Sequence, residues 1–316
     1  MKEIIIGSRG SKLALWQSEW VRARLEALGA GVSARIEIFK TQGDVRTDVP
    51  LSVIGGQGAF TKELEVALLD GRVDVAVHSL KDLPTVTPAG LSITATPERE
   101  DPRDALVLRA GAVSEGASLA NLARGAVVGT SSLRRIAQLR RLRPDVQVKD
   151  LRGNVDTRLR KLDSGEYDAL ILASAGLRRL GLGERVSAAI EPGEMLPAVG
   201  QGALGVETRA DDRETNALVS RLDSRRTRAA VLAERALLRS LGGGCQVPIA
   251  AHATVADGRL SLDGLVATLD GSELLRDRIE GDAEDGEALG EALAARLLAR
   301  GAARLLADTP ARVPEP

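Results

Sequence analysis

The sequence predicts an α/β protein in which two consecutive α/β units precede a small α+β domain. From residue 3 to about residue 180, short apolar segments alternate with segments of helical periodicity, which is typical of sheets whose strands are connected by helices. Beyond about residue 247, three alternating apolar–polar segments precede one long amphipathic segment, which predicts an antiparallel sheet with a helix on one face. The 316 residues are enough for two or three such domains.

The first unit is predicted to begin with a buried strand that leads through a glycine–serine turn into an amphipathic helix. Its elements are, in order, a strand over 3–6, a helix over 12–28, a strand over 34–39, a helix over 59–69, and strands over 73–77 and 91–96. Ser11 is the expected N-cap of the first helix, and Arg9 lies where the strand ends, a position at which α/β folds bind anions. The long, glycine-rich segment 41–58 has the composition of a mobile lid loop.

Polar residues follow directly after the strand over 73–77, at the edge of the sheet where α/β folds bind ligands. The segment 78–84 reads His-Ser-Leu-Lys-Asp-Leu-Pro and contains Ser79, Lys81 and Asp82. By residue type alone, the adjacent Lys81 and Asp82 are more typical of an ordinary exposed turn than of a functional pair.

The second unit, from about Asp104, repeats one arrangement three times: an apolar strand, a turn of small residues, and arginines where the next helix begins. The predicted strands lie over 104–109, 126–128, 146–151 and 169–173. The turns and helix starts carry Thr130, Ser131, Ser132, Arg134 and Arg135, then Arg152, Gly153 and Arg158, and finally Arg178 and Arg179. Hydroxyl caps and arginines at helix N-termini bind anions, and arginine stays charged when buried. The repeated pattern therefore predicts a cationic edge that binds carboxylates or phosphates.

The remaining segments predict that the chain returns to the first unit and then forms the third domain. The glycine-punctuated stretch 196–206 is the predicted return, and 98–103 is a predicted hinge. The later elements are helices over 211–222 and 227–241, strands over 247–256, 259–269 and 273–280, and a helix over 284–306. We therefore expect a first lobe from 1–100 and 198–220, a second lobe from 104–196, a C-terminal domain from 223–307, and a disordered tail from 308–316.

Cys245 is the single cysteine of the chain, and it follows three glycines and precedes Pro248 by three residues. Glycine permits unusual backbone conformations and proline limits helix continuation, so we expect the thiol on a loop just after a helix. A lone thiol forms no internal disulfide, which leaves a nucleophile, an attachment point or a buried apolar group. A buried structural cysteine is the commonest case in proteins generally, but the glycine loop makes it less favoured here.

The composition excludes several classes of function. Lysine plus arginine, 43, and aspartate plus glutamate, 44, nearly cancel, and aromatic residues make up 2%, so no nucleic-acid partner is expected. No apolar run approaches the roughly 20 residues that span a bilayer, and the N-terminal sequence turns polar too soon for a signal peptide, so no membrane partner is expected. A single cysteine indicates the cytoplasm, and two histidines with one cysteine argue against a zinc site, so no metal is expected.

Taken together, these motifs resemble those of the porphobilinogen deaminase (hydroxymethylbilane synthase) family. The matching segments are GSRGSKLALWQ at 7–17, KELE at 62–65, VHSLKDLP at 77–84, EREDPRD at 98–104, VGTSSLRR at 128–135, LRGNVDTR at 151–158, LPAVGQG at 196–202 and GGCQVP at 243–248. The segments follow one another over nearly the whole chain, and as a set they are specific. The resemblance is weakest after about residue 252.

The resemblance implies a transferase of tetrapyrrole (haem and chlorophyll) biosynthesis, with two lobes similar to periplasmic binding proteins and a small C-terminal domain. Family members condense four porphobilinogen molecules into the linear tetrapyrrole hydroxymethylbilane and release four ammonia molecules. Their primer is a dipyrromethane cofactor joined by a thioether to a loop cysteine, which corresponds to Cys245. We therefore expect porphobilinogen as the small-molecule substrate, Cys245 as an anchor, and a cytoplasmic monomer.

The resemblance also assigns roles to individual residues. The cofactor-binding positions correspond to Cys245, Ser79, Lys81, Asp82, Thr130, Ser131, Ser132, Arg134, Arg135, Arg152, Gly153 and Gln201, and the substrate-binding positions to Arg9, Ser11, Arg152, Arg158 and Arg179. Asp82 matches the catalytic aspartate, with Lys81 beside it, and its carboxyl group can protonate the leaving amine and stabilise the azafulvenium cation. The lid departs from the family pattern, because Val53 and Gln57 stand where many relatives carry lysine.

Three other functions are compatible with parts of the sequence. A non-enzymatic two-lobed protein that binds a small polyanion would suit the arginines but has no need of Cys245. A cysteine-dependent hydrolase or transferase needs a histidine base near the thiol. His252 is expected in a strand, and His78 is expected to position the acidic loop rather than to act as a base. A nucleic-acid binder is disfavoured by the composition.

Overall fold

The structure is a computed structural model that describes residues 2–29, 31–41, 61–111, 116–243 and 247–307. The predicted lid beyond Thr41, the predicted tail from residue 308, and Val53, Gln57 and Cys245 lie outside these ranges. Within them the chain forms three β-sheets with helices packed on them. No helix of these ranges is long and apolar enough to cross a membrane.

The secondary structure alternates between strands and helices up to the third sheet. The strands are β1 (Lys2–Arg9), β2 (Val32–Phe39), β3 (Val75–Ser79), β4 (Leu91–Ala95), β5 (Asp104–Leu108), β6 (Val127–Gly129), β7 (Gln147–Lys149), β8 (Ala169–Ala173), β9 (Ala188–Ile190), β10 (Leu204–Arg209), β11 (Ile249–Ala256), β12 (Arg259–Ala267) and β13 (Leu274–Asp282). The helices are α1 (Lys12–Glu26), α2 (Lys62–Leu69), α3 (Leu133–Leu142), α4 (Val155–Asp163), α5 (Ser174–Arg179), α6 (Arg213–Val219), α7 (Arg225–Ser240), α8 (Gly286–Ala299) and α9 (Ala302–Ala307).

The first two sheets have the same strand arrangement, in the orders β2-β1-β3-β10-β4 and β7-β6-β8-β5-β9. In each sheet the first three strands are parallel, the fourth is antiparallel to the third, and the fifth is antiparallel to the fourth. We call β1–β4 and β10 with α1, α2 and α6 the first lobe, and β5–β9 with α3–α5 the second lobe. The chain crosses between the lobes twice, between β4 and β5 and again between β9 and β10.

Successive side chains of the strands point to opposite faces of the first sheet, and apolar side chains pack on both faces. Ile4 and Val75 pack on one face with Leu25 of α1, whereas Ala76 packs on the other face with Leu64 of α2. Strands buried on both faces have apolar side chains at successive positions, which explains the continuous apolar runs in this part of the sequence. The second sheet is enclosed in the same way by two separate apolar clusters.

The third sheet is an antiparallel meander, β11-β12-β13, and its apolar face packs against α7 and α8. These two helices lie so close that Gly290 of α8 meets the Ala233 backbone of α7 and leaves no space for a side chain. This domain is anchored to the lobes through Glu234, whose carboxylate accepts hydrogen bonds from Arg99 at 2.7 Å and from the Gly200 amide at 2.7 Å. Arg99 and Gly200 belong to the two crossing segments, so one buried side chain joins all three parts of the protein.

The structure confirms the predicted succession of strands and helices and departs from it in two places. The predicted helix over 284–306 is two helices, because Gly301 adopts a φ of +97° between α8 and α9. The prediction omitted β9, which pairs antiparallel with β5 at the edge of the second sheet. Only three residues form this strand, which is too short to give an alternating pattern.

Candidate functional site

A cavity of about 570 Å³ lies between the two lobes. Residues that follow the carboxyl ends of parallel strands in both sheets line it, as is general for α/β sheets. From the first lobe these are Arg9, Gly10, Ser11, Lys12, Leu13, Gln17, Phe39, Lys40, Ser79, Lys81 and Asp82. From the second lobe and the return segment they are Ser131, Arg135, Leu151, Arg152, Gly153, Asn154, Val155, Asp156, Arg158, Leu172, Ala173, Ala175, Gly176, Leu177, Arg179, Leu180, Gly202 and Ala203.

The first lobe contributes a short 3₁₀ turn, Leu80–Asp82, that follows directly after β3. The Leu80 amide donates a hydrogen bond to the Ala203 carbonyl at 3.0 Å, which fixes the turn to the return segment. Ser79 forms a hydrogen bond with the Gln17 side chain of α1 at 2.9 Å. The turn that carries Lys81 and Asp82 is therefore held from both sides in the wall of the cavity.

Lys81 has an unusual electrostatic environment. Burial lowers the pKa of Lys81 to about 8, and Arg135 contributes to the lowering, while the neighbouring Asp82 opposes it. The charged form of Lys81 is therefore destabilised in the free protein and would be favoured by an anion in the cavity.

The second lobe contributes guanidinium groups in similar environments. Burial lowers the pKa of Arg158 to about 10, helped by the nearby charge of Arg135, and burial lowers the pKa of Arg179 to about 10. Arg158 Nε donates a hydrogen bond to the Gly153 carbonyl at 2.7 Å, and Arg179 Nη2 donates one to the Gly202 carbonyl at 2.7 Å. Carbonyl oxygens orient these groups without neutralising them, so the cavity combines several cations with few acids.

The two arginines predicted at the start of α3 have different positions relative to the cavity. Arg134 and Arg135 both bind the buried Asp104 carboxylate, with contacts of 2.6 Å and 2.8 Å, but only Arg135 lines the cavity. Burial by itself would raise the pKa of Asp104, yet the two guanidinium groups hold it well below its usual range. Arg134 also donates a hydrogen bond to the Leu196 carbonyl at 2.8 Å, which directs it toward the return segment.

The cavity brings together most of the residues that the sequence singled out. Those that line it are Arg9, Ser11, Ser79, Lys81, Asp82, Ser131, Arg135, Arg152, Gly153, Arg158 and Arg179. Those described away from its lining are Thr130, Ser132, Arg134 and Gln201. Gln201 donates a hydrogen bond to Asp104 at 2.9 Å, so it supports the arginine pair from behind.

The hydroxyl groups near the helix starts have different roles in the structure. Ser11 caps α1 as predicted, because its side chain accepts a hydrogen bond from the Ala14 amide at 3.3 Å. At the start of α3, Ser132 occupies the N-cap position, but its side chain makes no capping hydrogen bond; its amide instead donates a hydrogen bond to the Thr130 hydroxyl at 3.3 Å. Ser131 instead links two segments of the second lobe, accepting a hydrogen bond from the Leu151 amide at 3.0 Å.

Sequence reasoning missed two residues of the site. Asp104 was read only as the start of a unit, although a charged residue that opens an apolar strand is a signal for a buried ion pair. Gln17 was read only as part of a helix, but it lines the cavity and binds Ser79. Its spacing from Leu13 and Trp20 places it on the inner side of α1, which could have identified it.

Cys245 itself lies outside the described residues, but the domain that carries it packs against the turn of Asp82. Val231 of α7 lies in one apolar cluster with Leu80 and Leu83. Arg235 of the same helix donates a hydrogen bond to the Pro84 carbonyl at 2.6 Å. The helix that precedes the cysteine loop is thus joined directly to the segment that follows Asp82.

A side cavity of about 70 Å³, which we call the annex, adjoins the main cavity at Asp82. Its lining consists of Arg9, Ser11, Leu13, Ala14, Gln17, Thr61, Val77, His78, Ser79 and Asp82. Behind it, His78 Nε2 lies 3.2 Å from a carboxylate oxygen of Glu207, and both side chains are almost fully buried. Burial raises the pKa of the nearby Glu65 carboxyl, and repulsion from Glu207 contributes.

The comparisons with known proteins agree with this architecture. Residues 4–217 match the family model "Porphobilinogen deaminase, dipyromethane cofactor binding domain", and residues 228–299 match "Porphobilinogen deaminase, C-terminal domain". The chain belongs to the porphobilinogen deaminase family. The family prediction is therefore confirmed, as are the enzyme class, a transferase, and dipyrromethane as the cofactor.

Curated members of the porphobilinogen deaminase family are similar over almost their whole length. The porphobilinogen deaminase of Chromobacterium violaceum is 54% identical over 307 residues, which cover 97% of this chain and 98% of the relative. That of Synechococcus elongatus is 54% identical over 305 residues, with coverages of 96% and 95%. Among solved structures, the methionine-binding protein MetQ is 13% identical, with a TM-score of 0.44 over 70% of this chain and 89% of the other.

The donor set of the cavity fits the cofactor of the porphobilinogen deaminase family. A dipyrromethane built from two porphobilinogen units carries two acetates and two propionates, and guanidinium groups bind carboxylates with two parallel hydrogen bonds. Arg135, Arg152, Arg158 and Lys81 supply donors along the second lobe and the Asp82 turn. Among the described residues, no group of three or more His, Cys, Asp or Glu is arranged to hold a metal ion.

Proposed function

We propose that this protein condenses four porphobilinogen molecules head to tail into hydroxymethylbilane, releasing one ammonia for each unit added, on a dipyrromethane joined to Cys245 by a thioether. Membership of the porphobilinogen deaminase family supports the reaction. The observation that carries the proposal most directly is the cleft itself, in which buried cations surround one carboxylate at a strand end. Such a site binds polyanions, and Asp82 is the lining acid on the turn after β3, whereas Asp156, the other described acid of the lining, is paired with Lys12 at 2.7 Å.

The cationic residues of the cleft would bind the acid side chains of cofactor and substrate. We assign Ser79, Lys81, Asp82, Thr130, Ser131, Ser132, Arg134, Arg135, Arg152, Gly153 and Gln201 to the cofactor, and Arg9, Ser11, Arg152, Arg158 and Arg179 to the substrate. Thr130, Ser132, Arg134 and Gln201 would act through the groups they position, since they lie away from the cavity lining. When bound, the dipyrromethane supplies an unsubstituted pyrrole carbon, the nucleophile to which the first substrate unit is added.

Asp82 would hold and move the proton of the reaction. Its carboxyl group protonates the amine of porphobilinogen, and the carbon–nitrogen bond breaks with its electron pair on nitrogen. The resulting carboxylate stabilises the azafulvenium cation and its pyrrole N–H. It then accepts the proton that the nucleophilic ring carbon loses after forming the new carbon–carbon bond, so Asp82 ends each addition in its starting form.

Lys81 would assist Asp82 through charge. Its lowered pKa, about 8, follows from burial and from Arg135, so an arriving carboxylate is favoured because it stabilises the ammonium group. Lys81 is then paired with the substrate carboxylate. Asp82, the one acidic residue of the turn Leu80–Asp82, is free to act on the reacting carbon. Lys81 therefore helps to orient each substrate unit against Asp82.

We infer that Cys245 anchors the product chain rather than attacking substrate. A thioether does not exchange during turnover, and α7 packs against the turn of Asp82 through Val231 and Arg235. The domain boundaries that suit this role are a first lobe from 1–100 and 198–220, a second from 104–196, and a C-terminal domain from 223–307. We place the protein in the cytoplasm as a monomer.

Product stoichiometry tests the proposed function. Purified protein is supplied with porphobilinogen, and linear tetrapyrrole and ammonia are measured in the same reaction. We expect four molecules of ammonia for each tetrapyrrole, and no tetrapyrrole from Cys245→Ser. Binding of porphobilinogen without ammonia release would instead identify a polyanion-binding protein and contradict the proposal.

A further inference from the structure

The annex is too small for a pyrrole but large enough for the other product of the reaction. Its volume is about 70 Å³. A water molecule occupies about 30 Å³ in the liquid, so the annex holds one or two molecules of that size. Ammonia and the ammonium ion are of this size, whereas each pyrrole unit with its two acid side chains is several times larger.

The polar lining of the annex supplies hydrogen-bond acceptors at the position where ammonia would be released. Asp82 belongs both to the annex and to the main cavity, so the two spaces meet at the proposed proton donor. Ser79 and Gln17, which bind each other at 2.9 Å, and the hydroxyl of Thr61 complete an oxygen-rich wall. A small donor such as ammonium, with four N–H groups, matches this set of acceptors.

A buried histidine–glutamate pair lies at the back of the annex. His78 lines the annex and is 5% exposed, and its Nε2 lies 3.2 Å from the Oε2 atom of Glu207, an ion-pair distance. The other carboxylate oxygen, Glu207 Oε1, has no hydrogen-bond partner among the described residues. Buried polar atoms in native proteins almost always have a protein or solvent partner, so this oxygen is available to a further donor such as water or ammonium.

The charge around the annex favours a cation. Asp82 lies in its wall, and Glu207 lies behind His78. Glu65 of α2 interacts electrostatically with Glu207, His78 and Glu63, so further acidic groups lie near this pair. Burial raises the pKa of Glu65, and the charges of Glu207 and Glu63 add to this shift, which indicates a negative local potential. Among the described residues of the annex lining, Arg9 is the one arginine, and in the proposed function it is neutralised by a substrate carboxylate.

We propose that the annex is a binding subsite for the ammonia released at each addition, held as the ammonium ion until it leaves. The inference rests on the proposed function. The nitrogen departs with its two hydrogens and the proton from Asp82, and Asp82 regains a proton from the nucleophilic ring carbon once the new carbon–carbon bond has formed. At neutral pH the ammonia takes one further proton from solvent. Holding the product beside the turn, and away from the azafulvenium cation, prevents ammonia from recombining with the carbon that it has just left.

Inhibition by ions of matched size tests the subsite. The holoenzyme is assayed for tetrapyrrole formation in ammonium chloride, rubidium chloride and sodium chloride at equal ionic strength. Ammonium can inhibit either by occupying the annex or, as ammonia, by attacking the azafulvenium cation and reversing the reaction. Rubidium is close to ammonium in size but is not a nucleophile, so it can inhibit only in the first way. We expect ammonium and rubidium to inhibit with similar constants and sodium to have little effect.

Matched variants test whether rubidium inhibits by binding in the annex. Glu207→Gln should weaken inhibition by rubidium roughly tenfold, the effect of one charge a few ångströms away in a partly buried site. Glu65→Gln provides a second test if Glu207→Gln does not fold. Glu37→Gln, at a partly exposed position on β2, should leave the rubidium constant unchanged.

The outcomes distinguish this inference from the proposed function. Anomalous scattering from a rubidium-soaked holoenzyme crystal should place the ion against Asp82, Ser79 or Thr61. Equal inhibition by all three salts, an ion bound only elsewhere, or identical constants in Glu207→Gln and wild type would overturn the ammonium subsite while tetrapyrrole synthesis stands. Failure to make tetrapyrrole in any salt would overturn the proposed function and this inference with it.

Discussion

Arg135 and Asp104 form a buried ion pair in which Arg135 Nε and Nη2 lie 3.0 Å and 2.8 Å from one carboxylate oxygen. The same guanidinium group lines the cleft between the lobes. Asp104 opens β5, the first strand after the chain crosses into the second lobe. One carboxylate therefore sets the position of a cavity-lining cation and ties it to the crossing point.

Replacing Asp104 with Asn should destabilise the protein and disturb the cleft together. Arg134 and Arg135 would both remain buried with no counter-charge, a change that costs about 3–5 kcal/mol in comparable pairs. We expect a clear drop in thermal unfolding midpoint and a higher KM for porphobilinogen. Asp282→Asn is the control, because its pair with Arg259 is exposed on both sides and should contribute little. An Asp104→Asn protein as stable as wild type would contradict the role given to this carboxylate.

Asp82→Asn should stop the chemistry while leaving the cleft intact. The amide keeps the size of the side chain but cannot transfer the proton, so kcat should fall by about 10²–10⁴-fold. Measurement of kcat and of porphobilinogen binding separates the two effects. Asp156→Asn is the matched control, since Asp156 also lines the cavity but pairs with Lys12 at 2.7 Å, and a much smaller loss is expected. Equal losses in the two variants would remove Asp82 from its proposed role.

The sequence predicts that several arginines lie along one edge of the second sheet. It does not predict which of them line the cavity and which bind other parts of the protein. Strand, turn and arginine recur in local sequence, so Arg135, Arg152, Arg158 and Arg179 could be predicted to share an edge. That Arg134 turns away toward Asp104 and Leu196 depends on contacts 30 and 62 residues distant along the chain. Residue type and spacing carry no information on which of two adjacent arginines faces a cavity.

Arg158→Lys should weaken substrate binding more than an Arg-to-Lys change elsewhere on α4. Lysine keeps a charge but loses the planar, two-point contact with carboxylates. We expect KM for porphobilinogen to rise roughly tenfold, which corresponds to one lost charge-assisted hydrogen bond. Arg160→Lys on the exposed side of the same helix is the control and should leave KM near the wild-type value. A KM for Arg158→Lys that matches this control would exclude Arg158 from substrate binding.

The lowered pKa of Lys81 predicts a specific pH dependence. Because the pKa is about 8 in the folded protein, Lys81 loses its charge as the pH rises through that value, and substrate carboxylates lose a partner. We expect kcat/KM to fall above pH 8 in wild type, and this limb to shift to higher pH in Lys81→Arg. The pH profile of kcat/KM in both proteins is the measurement. If kcat/KM of Lys81→Arg falls over the same pH range as in wild type, a group other than Lys81 causes the decrease.

The same shift has a consequence for stability with the opposite trend. A lysine with a lowered folded-state pKa binds fewer protons in the native state than in the unfolded state between about pH 8 and its ordinary value. The contribution of Lys81 therefore makes the free protein more stable as the pH rises through this window. Comparing the pH dependence of thermal unfolding in wild type and Lys81→Met measures it, and a smaller rise is expected in the variant. A rise of equal size in both proteins would show that Lys81 is not its source.

The elements around the annex illustrate the limit of sequence patterns more sharply. His78 and Glu207 lie on β3 and β10, 129 positions apart, and meet because β10 returns from the second lobe to pair with β3. The return itself was predicted from the stretch 196–206. The antiparallel register that places Glu207 beside His78 depends on how the two lobes pack, which a pattern of apolar residues does not specify.

The central claim is that a cleft of guanidinium groups works on a chain tethered at Cys245 and faced by Asp82. Intact-mass spectrometry of the purified protein, before and after a brief exposure to porphobilinogen, tests it most directly. We predict a covalent increment of two pyrrole units that maps to Cys245, is absent from Cys245→Ser, and grows by single pyrrole units on exposure. An unmodified wild-type mass that stays unchanged while tetrapyrrole accumulates would contradict the account.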